Sequence, residues 1–254
     1  MADPAEKLQR ELTVDAVLGG AVRLAQPRHG YRAGVDAALL AAACKLEPGE
    51  RAIEAGCGVG AALLAAATRN AGSDWVGVER DPHALALAQA NVALNGLEDR
   101  VFVTAGDVAE PFRDLGLERF DAAIANPPFF DDDKVLRGPA PVRRGAYIAD
   151  DGLSAWTAFL LKAVRDRGRI TLIHRAARLA DILALLSEKA GSFRILPIQP
   201  FADAPAKRVL VRAIKSGKAP LVLLSALVLH ERGGAQHRPQ IEAILRGQAA
   251  IEWA

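Results

Sequence analysis

The chain has 254 residues, 51% of them hydrophobic and 24% charged, which suffices for one well-buried core and is far from the composition of a disordered chain. Its net charge of +2 neither demands nor excludes a nucleic-acid partner, so any phosphate binding needs a local basic patch. Two cysteines, Cys44 and Cys57, exclude a disulfide framework, and the longest apolar stretch, 220–229, falls far short of the roughly 20 residues of a membrane helix.

In chain order, the pattern is extended over 13–26 on either side of Gly19-Gly20, a pair suited to the positive φ of a hairpin turn. Residues 35–44 are rich in alanine and leucine and predict a helix that stops before Pro48-Gly49. From there strands and helices alternate: a strand at 51–55, a glycine cluster, a helix at 61–69, a strand at 74–79, and a helix from Pro82 to Asn95-Gly96 with Asp81 as N-cap. Strands at 100–105 and 120–125 follow, the second apolar enough to be buried on both faces. Residues 130–151 form the one long irregular segment and predict a loop or lid. A helix at 153–165, a strand at 169–174, a helix at 178–190, and strands at 193–199 and 208–215 come next. A strand-like segment at 221–229 and a helix at 239–246 end the chain.

This alternation predicts an α/β fold with a doubly wound, mostly parallel seven-stranded sheet. We divide it into an N-terminal hairpin-and-helix extension (1–48), a catalytic core (49–216) and a C-terminal strand–helix extension (217–254), together a single domain. Ligands of such sheets bind at the carboxyl ends of the strands. That rule points to the loops after Ala55, Glu79 and Ala125.

The first loop is Glu54-Ala55-Gly56-Cys57-Gly58-Val59-Gly60, where glycines let the backbone approach a ligand ahead of a helix N-terminus. Alone it is ambiguous, because Gly56, Gly58 and Ala61 also fit the dinucleotide fingerprint. Glu79 ends the second strand about 20 residues later, where a carboxylate accepts both hydroxyls of an adenosine ribose or else caps the next helix. Asp107, in Ala105-Gly106-Asp107-Val108, sits where an adenine amino group can be read, although Gly-Asp is also common turn chemistry.

The third loop, Asn126-Pro127-Pro128-Phe129, separates the two nucleotide readings. Consecutive prolines stiffen the turn, so the Asn126 side-chain oxygen and the Pro127 carbonyl present two acceptors to the cleft. A planar nitrogen such as adenine N6 or a carboxamide is a poor nucleophile, because its lone pair is delocalised. Two acceptors that draw its N–H bonds out of plane localise that pair for in-line attack on a sulfonium methyl. Phe129 can stack on the substrate face. By itself the motif is also a rigid turn with an Asn cap.

The order of these motifs resembles class I S-adenosylmethionine methyltransferases of the small-domain type with an Asn-Pro-Pro-[Phe/Tyr] motif, over roughly 12–247. Within that group, Thr13-Val14-Asp15-Ala16-Val17-Leu18-Gly19-Gly20, Gly30-Tyr31-Arg32-Ala33-Gly34-Val35-Asp36 and Leu227-Val228-Leu229-His230 resemble the bacterial tRNA adenine-N6 methyltransferases that act near the anticodon of valine tRNA. The resemblance implies S-adenosylmethionine as cofactor, with Glu54, Gly56, Gly58 and Gly60 at its methionine end. It further implies Glu79 on the ribose, Asp107 and Val108 on adenine, Tyr31 and Arg32 closing over the site, and Asn126 to Phe129 holding the target base. Two departures stand where substrate contacts are expected: Arg143-Arg144-Gly145-Ala146-Tyr147 replaces a short basic-plus-acidic signature, and His237-Arg238 replaces a tyrosine–threonine pair.

Arg137, Arg143 and Arg144, with Lys207 and Arg208 on the same rim, are candidate phosphate contacts for an RNA substrate. No metal site is expected: Asp131-Asp132-Asp133 diverge on a loop, and the five histidines lack ligand spacing. Met1-Ala2-Asp3-Pro4 lacks the basic and apolar regions of a signal peptide, which predicts a cytoplasmic protein. Two other targets stay open, glutamine in a protein and guanine N2 in ribosomal RNA. A nicotinamide-dependent oxidoreductase predicts a Tyr-x-x-x-Lys or a paired His and Asp near the fourth or fifth strand, and neither is present. Oligomeric state is not legible.

Overall fold

The computed structural model describes residues 12–28, 34–128, 152–233 and 236–253. Strands β1 (Leu12–Val17) and β2 (Val22–Pro27) form an antiparallel hairpin, joined through positive φ values at Leu18, Gly19 and Gly20. Helix α1 (Val35–Ala42) leads into the alternating core of β3 (Arg51–Ala55), α2 (Ala61–Arg69), β4 (Asp74–Glu79), α3 (Pro82–Leu94), β5 (Val101–Ala105) and β6 (Phe120–Ala125). Then come α4 (Leu153–Ala163), β7 (Val164–Arg175), α5 (Leu179–Ser187), β8 (Ala190–Gln199) and β9 (Arg208–Lys215). Two short strands, β10 (Val222–Leu223) and β11 (Leu227–Val228), precede α6 (Pro239–Leu245).

Strands β3 to β9 are the seven expected, in the order β8-β9-β7-β6-β3-β4-β5, with β9 antiparallel to both neighbours and the rest parallel. The single strand-like segment expected at 221–229 is instead two strands, each pairing parallel with β8, which widens the described sheet to nine. Gly168 lets β7 start at Val164, five residues before the predicted start: a Cβ there would press on the Asp121 and Arg165 carbonyls, and the register of β6 on β7 shifts at the same point.

Alternating side chains along each strand feed two cores. Ala52, Trp75, Ala122, Ile124 and Ile173 pack beneath α1, α2, α3 and α6, while Ile53, Val78, Ala123, Ile170 and Leu172 pack against α4 and α5. Leu39, Leu40, Leu63, Leu64, Leu160 and Ile182 are fully buried. Each such side chain stabilises the fold by about 1.5–3 kcal/mol relative to exposure. The chain end is strapped onto α1: the Ile251 amide donates to the Ala42 carbonyl and the Trp253 indole N–H to that of Ala43. No described helix is long and apolar enough to cross a membrane.

The hairpin is tied to α3 by Asn91 and Asn95, four residues apart and so on one helix face. The Asn95 side chain accepts from the Arg23 N–H and donates to the Arg23 carbonyl, both at 2.8 Å. Asn91 does the same at Ala25, at 2.8 and 2.9 Å. The two side-chain amides satisfy backbone groups on the free edge of β2 that a third strand would otherwise pair.

Candidate cofactor and catalytic site

The chain leaves β3 for β4 and β5 on one side, then returns to build β6 and β7 on the other. At such a reversal the loops leaving the strand ends diverge and open a crevice. Here it is a cavity of about 960 Å3, into which the glycine loop, Glu79, Asp107 and the Asn126 turn all project.

Glu54 follows Ala52 by two residues and therefore faces α2. Its Oε2 is buried with no hydrogen-bond partner among the described residues. Burial pushes the carboxyl well above the ordinary carboxylate range; the backbone N–H of Leu63 opposes this, and the charge of Glu79 adds to it. An unpartnered carboxylate oxygen on a cavity wall calls for a cation or a donor. Burial, with Glu54 and Glu79 adding, likewise raises the Cys57 thiol. It serves as a small packing residue beneath the loop rather than as a nucleophile.

Glu79 is tied to the glycine loop. Its Oε2 accepts the Gly58 N–H at 2.8 Å, and its Oε1 accepts those of Arg80 and Asp81 at 2.9 and 2.8 Å. The cap of α3 is Asp81, whose Oδ1 accepts from His83 and Ala84 at 2.8 and 3.0 Å, so the helix-cap reading of Glu79 does not hold. Each carboxylate oxygen takes two hydrogen bonds, and Oε2 has used one. Asp107 also lines the cavity, with Oδ1 on the Ala109 N–H at 2.9 Å and Oδ2 paired to Arg80 at 3.3 Å.

Gly56 and Gly58 have φ of 61° and 56°. No atom lies within 4 Å of a Cβ built on Gly58, whereas one on Gly56 would overlap the indole of Trp156 from the first turn of α4. Gly56→Ala is expected to cost about 1–3 kcal/mol, visible as a lower melting temperature, and Trp156→Leu in the same chain should return part of it. No recovery in the double variant would mean that backbone strain alone forbids the side chain.

Ala55 of β3 pairs with Ala125 of β6, so Gly56 and Asn126 leave the sheet abreast, about one strand spacing of 4.8 Å apart. Asn126, Pro127 and Pro128 line the same cavity as Glu54 and Glu79. The stiff Asn126-Pro127-Pro128 turn thus stands beside a glycine loop that carries a buried carboxylate.

Residues 32–138 match the methyltransferase small domain family. The chain is an S-adenosylmethionine-dependent methyltransferase. It is 28% identical over 189 residues to a Porphyromonas gingivalis protein named tRNA1(Val) (adenine(37)-N6)-methyltransferase, covering 70% of this chain and 72% of that one. A Trichodesmium erythraeum protein of the same name is 28% identical over 208 residues, 77% and 82% of the two chains. Among solved structures, a predicted O-methyltransferase from Agrobacterium tumefaciens superposes with a TM-score of 0.72 at 26% identity, covering 85% of this chain and 98% of that one.

The methyltransferase brings together most of its sequence-predicted site. Glu54, Gly56, Gly58, Glu79, Asp107, Val108 and the Asn126 turn share one cavity. Gly60 does not line it: at φ 91° it begins α2, its N–H on the Cys57 carbonyl at 2.9 Å. Lys207 and Arg208 lie off the cavity at the start of β9, Arg208 pairing with Asp36 at 3.0 Å. Tyr31, Arg32, Phe129, Arg137, Arg143 and Arg144 fall outside the described residues, as do Asp131 to Asp133.

Three cavity features escaped the sequence reading. Trp156 and Arg175 line the wall, and the buried Asn91 supports the loop by donating to the Val59 carbonyl at 2.9 Å. The Asn91/Asn95 spacing was a usable signal; nothing in the sequence aims Trp156 or Arg175 at the site. Asn91→Leu should raise the dissociation constant for S-adenosylmethionine severalfold with a smaller change in kcat, because it removes a support of the loop and no reacting group. An unchanged affinity in a folded variant would refute that support.

Proposed function

We propose that this methyltransferase methylates N6 of an adenine in tRNA. The observation carrying the reading is Asn126-Pro127-Pro128 standing abreast of Gly56 on a cavity shared with Glu54 and Glu79. Relatives matching about 70% or more of the chain carry that activity in their names.

In this reading Glu54 and the glycine loop hold the methionine end of the cofactor, the one open acceptor site on Glu79 Oε2 takes a ribose hydroxyl rather than both, and Asp107 and Val108 border the adenine. When bound, S-adenosylmethionine supplies a sulfonium methyl. The Asn126 side-chain oxygen and the Pro127 carbonyl accept the two N6 hydrogens of the target and localise its lone pair. The nitrogen becomes cationic only on methylation and then gives up a proton, so a side chain with a matched pKa is not needed. Phe129, as the next motif residue, is assigned to stacking on the base. Arg137, Arg143, Arg144 and Lys207 are assigned to the RNA phosphates, while Arg208, expected among them, is held by Asp36.

The test is an assay with methyl-labelled cofactor against total RNA and total protein from a cell lacking the gene, followed by digestion to nucleosides. Label in N6-methyladenosine from tRNA is the expected result. Label only in protein overturns the tRNA reading in favour of a carboxamide target, and label in N2-methylguanosine from ribosomal RNA overturns it in favour of guanine.

A further inference from the structure

Beyond the cavity, four planar side chains adjoin one another in the loops at the end of β8 and after β11. The Arg232 guanidinium lies over the Phe201 ring at 5.3 Å, Phe201 meets His230 at 6.0 Å between centroids with the rings tilted by 48°, and His230 stacks on His237 at 4.7 Å with ring planes 25° apart. A bridge between His230 and His237 holds the last pair together. None of the four belongs to either hydrophobic core, and each is at least partly exposed.

The outer end of the stack is flat and fixed. Asp203 takes Arg232 Nε through both carboxylate oxygens at 2.8 and 2.7 Å, while the arginine side chain stays 68% exposed. That pair compensates the charge and leaves a π face. A phosphate gains little from such a compensated arginine; a nucleobase gains stacking area.

The stack also stands in line with the cavity. Arg175, on the cavity wall, pairs with Arg208 of β9, Arg208 with Ile198 of β8, and Ile198 with Leu227 of β11. This row spans three strand spacings, about 14 Å, along the carboxyl edge that carries Asn126. Exposed Lys207 adjoins Arg208 along it.

We propose that Arg232, Phe201, His230 and His237 form a stacking platform for a second, unpaired base of the RNA substrate, with Arg232 as its contact face. The proposal rests on the RNA reading above. It is a site for a base other than the one methylated.

The test uses the full chain and an in vitro transcribed valine tRNA. Arg232→Ala should raise KM for tRNA about tenfold with kcat and the cofactor dissociation constant unchanged. Arg232→Lys should behave the same way, because it keeps the charge and loses the plane. Phe201→Leu, which keeps apolar bulk, should give the same KM effect at an unchanged melting temperature. The slope of affinity against salt should stay as in wild type for the arginine variants. Full rescue by Arg232→Lys, or a shallower salt slope in Arg232→Ala, would make the site a phosphate contact and overturn the platform. Wild-type KM in all three variants would overturn it outright. Failure of the wild-type chain to methylate any tRNA would instead sink the RNA reading on which it rests.

Discussion

Replacing Asn126 by alanine is expected to lower kcat by about two to three orders of magnitude while the dissociation constant for S-adenosylmethionine stays within about twofold of wild type. The asymmetry follows from geometry. Glu54, Glu79 and the glycine loop leave β3 and β4, whereas Asn126 leaves β6, stiffened by Pro127 and Pro128. An acceptor acting only on the target nitrogen strengthens as that nitrogen becomes cationic and contributes little before then. Isothermal titration with the cofactor and single-turnover rates with tRNA separate the two quantities. Asn126→Asp keeps an acceptor but adds a charge near Glu54 and Glu79, so it should recover part of kcat while weakening no cofactor contact directly. If affinity collapses with kcat in the alanine variant, Asn126 belongs to the cofactor side and the assignment fails.

Glu54→Gln should weaken S-adenosylmethionine binding by about thirtyfold, or roughly 2 kcal/mol, and at the same time raise the melting temperature of the ligand-free protein. Both signs come from one buried oxygen. The folded state raises the carboxyl of Glu54, chiefly through burial, and so favours its protonated form. Its contribution to stability is complete below the ordinary carboxylate range and is lost as pH rises through the raised value. The neutral glutamine has no such loss, so the stability gap over wild type should widen with rising pH. Cofactor affinity runs the other way: the cationic ligand selects the ionised carboxylate, and wild-type binding should tighten with rising pH while the glutamine variant stays flat. Calorimetric titrations and melts across a pH series check both. Equal affinity in the two proteins would show that Glu54 does not face the ligand's charge.

Local rules carried much of the fold. Apolar runs bounded by turn residues marked β3, β4, β6 and β9 to the residue, and Asp81-Pro82 marked the start of α3 by a cap that forms as expected. Where the sequence signal was weak, the outcome depended on contacts distant along the chain. The early start of β7 depends on Gly168 packing against β6, and β10 and β11 exist because the exposed edge of β8 offers backbone groups to pair. The site divides in the same way. Glu54 and Glu79 stand in the last two positions of β3 and β4 and Asn126 just after β6, so their place on the cavity is legible from position alone. Trp156 reaches the cavity only because α4 crosses beneath Gly56, and Arg175 only because β7 lies next to β6.

The clasp of the hairpin by Asn91 and Asn95 has a bearing on how the chain is made. The hairpin emerges before α3, yet its outer edge is closed by side chains 66 and 72 residues downstream. A lone two-stranded hairpin is marginal in water, so residues 12–27 wait through on the order of several seconds of synthesis, with Val14 and the free edge of β2 open to other chains. When α3 arrives, Asn91 and Asn95 close that edge, and Asn91 takes the Val59 carbonyl in the same act. Protection of the nascent chain and completion of the cofactor loop are therefore a single event, and a chain paused before Asn91 has neither.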